Sequence, residues 1–363
     1  MTGPVTVTHA LGSYPVYVEA GALERLPTIV SQHLAGLRSA MIADDTVYQL
    51  YQERKLGGGS QWGGEALTFP AGEASKSREW WARLTDGLLE RGYGRDSGIV
   101  ALGGGVAGDL AGFVAATYMR GVPCLQVPTT LLAMLDASVG GKTGVDAPQG
   151  KNLIGAFHPP VAVVADPVAL GTLPEREYRS GLAEAVKHGL IADREYFHWI
   201  DSEAEALGRR DLATLTQLVR RSVEIKAEVV GADEREHGRR AILNAGHTVA
   251  HALERATNYA LSHGEAVALG LVAECELARL LGIASGEVTA EVESLLQRLG
   301  LPVRYAGTLS PGDVTEAMRS DKKNRNARIR FALPRAVGQM HWAEGWTVDA
   351  PQSRIGESLA AII

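Results

Sequence analysis

A parallel α/β first half followed by a helical second half is the fold class this chain predicts. Three observations carry that prediction. Short apolar runs rich in valine, isoleucine and alanine alternate with helix-period stretches through the first half, the pattern of strands that need crossover helices. Beyond about Pro174 the strand signal fades and long helical periods take over. At 363 residues the chain also exceeds one comfortable core, so two domains are expected. The break Gly171-Thr-Leu-Pro174 puts the boundary near residues 172–180, giving domains 1–175 and 176–363.

In chain order, the expected strands are Val5–Thr8, Ser39–Ala43, Ala66–Phe69, Gly98–Leu102, Cys124–Val127 and Val161–Ala165, with helical stretches such as Gly21–Leu34 and Lys76–Arg91 between them. The run Lys55-Leu-Gly-Gly-Gly-Ser-Gln-Trp-Gly-Gly64 lacks both a preceding strand and a Gly-Lys-Ser/Thr ending. It therefore reads as a flexible surface loop rather than a phosphate loop. The second half predicts helices over Arg176–Ala192, Leu212–Asp233, Arg239–Thr257, Gly264–Leu281 and Thr289–Leu299, with mixed character near Ile329–Leu333.

Bulk properties exclude several classes of function. Apolar content of 45% and charged content of 21% describe an ordinary globular protein, and the net charge of −6 leaves no basic footprint for nucleic acid. No stretch approaches the ~20 apolar residues of a membrane span, and the N-terminus lacks the features of a secretory signal. Cys124 and Cys275 lie far apart in apolar surroundings, as free thiols of a reducing cytoplasm would. A small-molecule partner is expected, with neither nucleic acid nor membrane.

Three groups of residues carry chemistry. The strand Gly98–Leu102 runs into Gly103-Gly-Gly-Val-Ala-Gly-Asp109 and then a helical pattern; glycines there let backbone approach a pyrophosphate at a helix N-terminus. This motif falls late in its domain, whereas the usual glycine fingerprint opens the first strand-helix unit. Next, Asp136–Asp146 and Gly150–Pro159 read as consecutive glycine-containing loops whose Lys142 and Lys151 can neutralise phosphate. In the second half, Glu184, Lys187 and His188 share one helical face. Arg240, Asn244, His247 and His251, spaced by four, three and four, form one polar stripe when read at helical period. With His263 following in Ser262-His-Gly-Glu265, itself a capping-box pattern, the residues suggest a metal site that also grips an anion. Catalytic zinc needs three protein ligands, and two triples remain open: Glu184 with His247 and His263, or His247 with His251 and His263.

These motifs, in this order, resemble the 3-dehydroquinate synthase family. The resemblance runs from Ile42-Ala-Asp-Asp-Thr-Val47 to Asp321-Lys-Lys323 and is most specific in Gly103–Arg120, Pro128–Asp146, Lys151–Pro159, Gly181–Gly189, Leu243–Glu254 and His263–Gly270. It implies a Rossmann-like NAD-binding α/β domain, an all-α metal-binding domain, a zinc or cobalt ion, and a homodimer. It assigns the metal to Glu184, His247 and His263, releasing His251 to the substrate. NAD contacts map onto Asp44, Glu73, Lys76, Gly105, Val106, Asp109, Thr129, Thr130, Lys142, Lys151 and Thr172. Substrate contacts and catalysis map onto Asp136, Lys142, Asn152, Lys187, Lys226, Arg240, Asn244, His251 and Lys322 or Lys323, with Arg120 reaching from a partner subunit. The implied substrate is 3-deoxy-arabino-heptulosonate 7-phosphate, and the implied sequence is transient oxidation by NAD, phosphate elimination, reduction, ring opening and aldol closure. Ala245 and Ala250 depart from the family pattern at packing positions only.

Three alternatives compete. A secondary-metabolism sugar-phosphate cyclase would change the residues that recognise a carboxylate and a C7 phosphate, which this chain keeps. A metal-dependent polyol dehydrogenase would not need Lys151-Asn152 or Arg240 and Asn244. A non-catalytic NAD sensor would gain nothing from a complete metal triad.

Overall fold

The computed structural model describes residues 3–54, 64–319, 329–343 and 345–363. The Lys55–Gly64 segment, apart from Gly64, lies outside the described residues, as do Lys322 and Lys323. The chain parts into two compact units: Met1–Pro174 with Leu212–Gly231, and Glu175–Asp211 with Ala232–Ile363.

The first unit is built on a seven-stranded sheet. Its elements in chain order are β1 (Val5–His9), β2 (Gly12–Val18), α1 (Leu26–His33), β3 (Arg38–Asp44), α2 (Asp45–Gln52), β4 (Glu65–Phe69), α3 (Arg78–Glu90), β5 (Ser97–Gly103), α4 (Gly105–Thr117), β6 (Cys124–Pro128), the pair β7 (Lys142–Ala147) and β8 (Gly150–Phe157), and β9 (Ala162–Ala165). The sheet order is β1-β2-β9-β6-β5-β3-β4, parallel except for the β1–β2 hairpin. All seven residues of β5 are buried, which is why this strand reads as continuously apolar rather than alternating. From β3 the chain first moves outward to β4 and then returns to β5 on the other side of β3. The carboxyl ends of β3 and β5 therefore flank the point where strand order reverses, the usual ligand crevice of an open α/β sheet. This explains the late glycine motif: β5 is fifth in sequence but lies inside the sheet, between β6 and β3, at the reversal point.

Asp136–Asp146 and Gly150–Pro159, expected as two loops, largely pair as the antiparallel hairpin β7–β8. Glycines disguised these strands. A Cβ on Gly155 would lie 2.2 Å from the Thr143 carbonyl oxygen, and one on Gly144 would lie 2.6 Å from that of Ile154. Glycine here clears room for a close backbone approach rather than marking a turn.

The second unit is helical. Its elements are α5 (Glu175–Ala192), α6 (Arg194–Ser202), α7 (Ala204–Gly208), then, after α8 (Leu212–Ala232, grouped with the first unit up to Gly231), α9 (His247–Ala256), α10 (His263–Leu280), α11 (Gly286–Arg298), α12 (Pro311–Arg319) and α13 (Gln352–Ala360). Two short two-stranded ladders, Arg330–Phe331 with Val348–Asp349 and Pro334–Ala336 with Gln339–Met340, fall where the sequence turned mixed in character. The expected helix over Arg239–Thr257 is interrupted. A 3₁₀ segment runs over Arg239–Asn244, Ala245 is extended, and Gly246 adopts a left-handed conformation (φ 79°) before α9 begins. Arg240 and Asn244 therefore do not share a helix with His247 and His251, and the single polar stripe does not exist. Glycine makes the break possible, and a helical period of four, three and four does not reveal it. Ala245 and Ala250 are both buried, consistent with packing positions.

Candidate functional site

In the first unit, Asp44 ends β3 and caps α2, its Oδ1 accepting from the Val47 N–H at 2.8 Å. Burial pushes its carboxyl above the usual range, opposed by that backbone donor. Gly103 adopts φ 147°, and a Cβ there would meet the Ala107 Cβ at 2.6 Å and Asp44 Oδ2 at 3.0 Å, so only glycine fits. Helix α4 starts after Gly104 with no side chain capping it, leaving the first-turn N–H groups of Gly105 and Val106 available to an anion. Thr129 donates its N–H to the Gly103 carbonyl at 2.9 Å, and the Thr130 hydroxyl accepts from the Ala133 N–H at 3.1 Å.

Beside this cradle, Lys76 pairs with Asp109 at 2.5 Å and also donates to the Asn152 side-chain oxygen. Burial pulls the Lys76 ammonium down, but Asp109 outweighs it and the net shift is upward; burial likewise raises the Asp109 carboxyl against the pull of Lys76. Asn152, in a left-handed conformation, donates its N–H to Asp146 at 2.7 Å, and Lys151 lies 3.7 Å from Glu73. Lys226 on α8 pairs with Asp136 at 2.7 Å and donates to its carbonyl as well. Asp136 belongs to a single π-helical turn, Ala133–Ala137, a geometry often found at functional sites. Lys142 and Arg120 are exposed, while the Thr172 hydroxyl donates to the Ala169 carbonyl.

In the second unit, the ligand atoms of Glu184, His247 and His263 all lie within 4.8 Å of one another. Glu184 Oε1 stands 3.5 Å from His247 Nε2 and 3.2 Å from His263 Nε2, and the carboxylate is fully buried. Three devices bring these side chains together. Ser262 and Glu265 close the expected capping box, fixing His263 at the first position of α10. Gly264 donates its N–H to the Ser180 hydroxyl at 2.8 Å, and a Cβ on it would lie 2.2 Å from Ser180 Cα; α10 thus starts against α5 one turn before Glu184. Each imidazole is also anchored through its other nitrogen. His247 Nδ1 lies 3.1 Å from the Ala245 carbonyl, and His263 Nδ1 lies 3.6 Å from the buried Glu254 carboxylate. An imidazole engaged at Nδ1 presents Nε2 to a metal, which is the arrangement outer-shell partners normally impose.

The electrostatics agree. Burial would raise the Glu184 carboxyl, but Lys187, one turn along α5 and ion-paired with it, and His247 hold it well below the usual range. Burial and Lys187 push the His247 imidazole down and keep it neutral. Burial opposes charge on His263 too, yet Glu184 and Glu254 lift it to about 9. One carboxylate, one neutral imidazole and one protonated imidazole gather where a divalent cation with three protein ligands would fit.

Around this cluster, His251 meets His247 edge-on with 5.5 Å between ring centres. The buried Arg240 donates to the Glu234 carbonyl, and Asn244 donates to Glu236 at 2.6 Å. Glu254 and Glu236 escaped the sequence reading. Glu254 was accessible there, since it continues the His247–His251 face at i+7; Glu236 has a left-handed backbone (φ 61°) that no period signals. A third omission is Glu274 on α10, buried at 1% exposure, which accepts from the Gly246 N–H at 2.7 Å and the Val249 N–H at 3.3 Å.

Comparison with known proteins extends this picture. Residues 66–180 match the family model for the 3-dehydroquinate synthase N-terminal region, and residues 181–324 match that for the C-terminal region. A protein named 3-dehydroquinate synthase from Symbiobacterium thermophilum is 48% identical over 90% of this chain and 92% of its own length. Among solved structures, 2-epi-5-epi-valiolone synthase from Streptomyces hygroscopicus, with NAD+ and Zn2+ bound, is 28% identical with a TM-score of 0.85, covering 99% of this chain and 98% of its own. A 2-deoxy-scyllo-inosose synthase complexed with carbaglucose-6-phosphate, NAD+ and Co2+ shares the fold at a TM-score of 0.88 and 24% identity, covering 99% and 100%. With both family models matched in succession and near half the residues shared with a curated relative, this chain belongs to the 3-dehydroquinate synthase family.

Proposed function

We propose that the chain converts 3-deoxy-arabino-heptulosonate 7-phosphate to 3-dehydroquinate and phosphate, and that its site residues divide the work as follows. The observation that carries the reading is the buried Glu184–His247–His263 cluster, with both histidines anchored through Nδ1, in a chain of this family. Glu184, His247 and His263 hold a zinc or cobalt ion. Asp44, Glu73, Lys76, Gly105, Val106, Asp109, Thr129, Thr130, Lys142, Lys151 and Thr172 hold NAD, a fit supported by the uncapped α4 N-terminus and the close approach at Gly103. When bound, the metal supplies a Lewis acid toward a substrate hydroxyl and NAD supplies a hydride acceptor that is regenerated, so the conversion has no net oxidation.

The chain's own groups bind and orient. Lys142, Asn152, Asn244, His251 and Lys322 or Lys323 take the phosphate, where cationic and amide donors are strongest. Asp136, Lys187, Lys226 and Arg240 take the carboxylate and hydroxyls. Burial of Lys187 and Lys226 keeps both ammonium groups out of bulk water, where their hydrogen bonds to substrate are worth more. No helix among the described residues is long and apolar enough to cross a membrane. The buried free thiols Cys124 and Cys275 support a cytoplasmic setting. The exposed Arg120, between Met119 and Gly121 in a run of positive φ, supports a homodimer in which it reaches a second copy; light scattering on the purified protein tests that point.

The deciding experiment measures phosphate release from the heptulosonate phosphate with catalytic NAD. Release by metal-loaded protein that stops with a chelator and returns with Zn2+ or Co2+ supports the reading. Absence of release by metal-loaded protein sinks it.

A further inference from the structure

Helix α9 begins in an unusual way. Gly246 is its N-cap and offers no side chain, so the first-turn N–H groups look elsewhere for acceptors. They find Glu274, which stands eleven residues into the neighbouring helix and contacts backbone: Gly246 N–H at 2.7 Å through one carboxyl oxygen and Val249 N–H at 3.3 Å through the other. Between these two donors lies His247. Burying a carboxyl is expensive unless its oxygens are satisfied, and here each oxygen accepts from a backbone N–H of α9 or its cap. The two helices are also locked in height. A Cβ on Gly270 would lie 2.0 Å from the Gly246 carbonyl oxygen, and one on Gly246 would lie 2.9 Å from the Leu271 side chain. Helix α10 therefore carries His263 at its start and, three turns later, grips the backbone on both sides of His247.

We propose that Glu274 is a positioning residue for His247, fixing the backbone from which that imidazole reaches Glu184 and so setting the geometry of the metal site. The proposal rests on the metal reading of Glu184, His247 and His263. A plain helix cap would contribute the same to stability with or without metal; a positioning residue changes the metal site itself. Glu274→Gln keeps the volume but replaces one accepting oxygen with an amide nitrogen that cannot accept. Glu274→Asp keeps the carboxyl, which burial pushes up to about 8 in the parent, but is too short to reach both donors.

The test is Co2+ titration of the full-length protein, read by the Co2+ absorption spectrum and by the melting temperature with and without metal. Glu274→Gln is expected to fold, by near-ultraviolet circular dichroism, to bind Co2+ about 10–100-fold more weakly, and to show an altered spectrum and a smaller metal-dependent rise in melting temperature. Glu274→Asp shifts in the same direction by less. Either folded variant binding Co2+ with the parent's affinity and spectrum, while melting lower, overturns the proposal. Unfolding of both variants overturns it as well, because the carboxyl would then hold the fold rather than the ligand. If the parent protein binds no Co2+, or if His247→Ala leaves its spectrum unchanged, the metal reading fails and takes this proposal with it.

Discussion

The two charged clusters of this molecule solve opposite problems. In the first unit, Lys76 and Asp109 neutralise each other as a close pair, flanked by Asn152 and by a helix N-terminus open to an anion. In the second, Glu184 sits among Lys187, His247 and His263, so a single fully buried carboxylate is surrounded by groups that donate to it or carry positive charge. The first cluster is balanced before any ligand arrives. The second holds positive charge on His263, paired with Glu184 and Glu254, as a proton that a metal can displace. A site that neutralises itself can serve a ligand by shape and dipole, whereas one that stores an exchangeable proton is built to trade it.

Removing the carboxylate tests this contrast most severely. Glu184→Gln is expected to lose stoichiometric metal and to lower turnover by about 10²–10⁴-fold, the several kcal/mol that a Lewis acid contributes; retention of metal at full occupancy would refute the ligand assignment. Lys76→Met leaves Asp109 without its partner and should destabilise the first unit by about 3 kcal/mol in urea unfolding, without changing metal content. If metal content falls instead, the clusters are not independent. Glu254→Gln removes the carboxylate behind His263 and should weaken Co2+ binding about 10–100-fold while leaving NAD affinity unchanged.

Acidity sharpens the same contrast. Because His263 is lifted from 6.5 to about 9, its proton stabilises the metal-free second unit most fully below pH 6.5, and that contribution disappears as pH rises through about 9. Metal must displace that proton, so apparent Co2+ affinity should climb about tenfold per pH unit between about 7 and 9 and then level off. A flat profile would mean that His263 is already neutral. The smallest expected effect is Gly103→Ala. Its forced left-handed backbone and its contact with Ala107 should cost about 1–3 kcal/mol of first-unit stability and weaken NAD binding, checked by calorimetry.

Much of this was legible in the amino-acid order, and the exceptions share a cause. Strands such as Gly98–Leu102 and Cys124–Val127 announce themselves because both faces are buried, leaving an uninterrupted apolar run. The capping box at Ser262 and Glu265 is equally readable, since both partners lie within one turn. What escaped depends on distant neighbours. The β7–β8 hairpin is rich in glycine because each strand faces the other's backbone, and the break at Gly246 makes sense only once Gly270 and Leu271 are seen pressing against it. Glu274 looks like an ordinary helix residue until α9 is placed beside it. That His247 and His263 gather with Glu184 likewise depends on where α5 lies, which spacing along Arg240–His263 does not encode.

The return of α8 to the first unit has a consequence for synthesis. The sheet is complete in sequence by β9, yet Lys226, the partner of Asp136, lies on a helix that emerges after α5, α6 and α7. During translation the first unit must therefore wait, unfinished, while some forty residues of the other unit appear. A fragment ending at Pro174 would carry every strand of the sheet and still lack α8, with its buried Leu218, Val219 and Val223. The covalent path crosses between the units three times, at 174–175, 211–212 and 231–232, so neither can be excised as one continuous stretch.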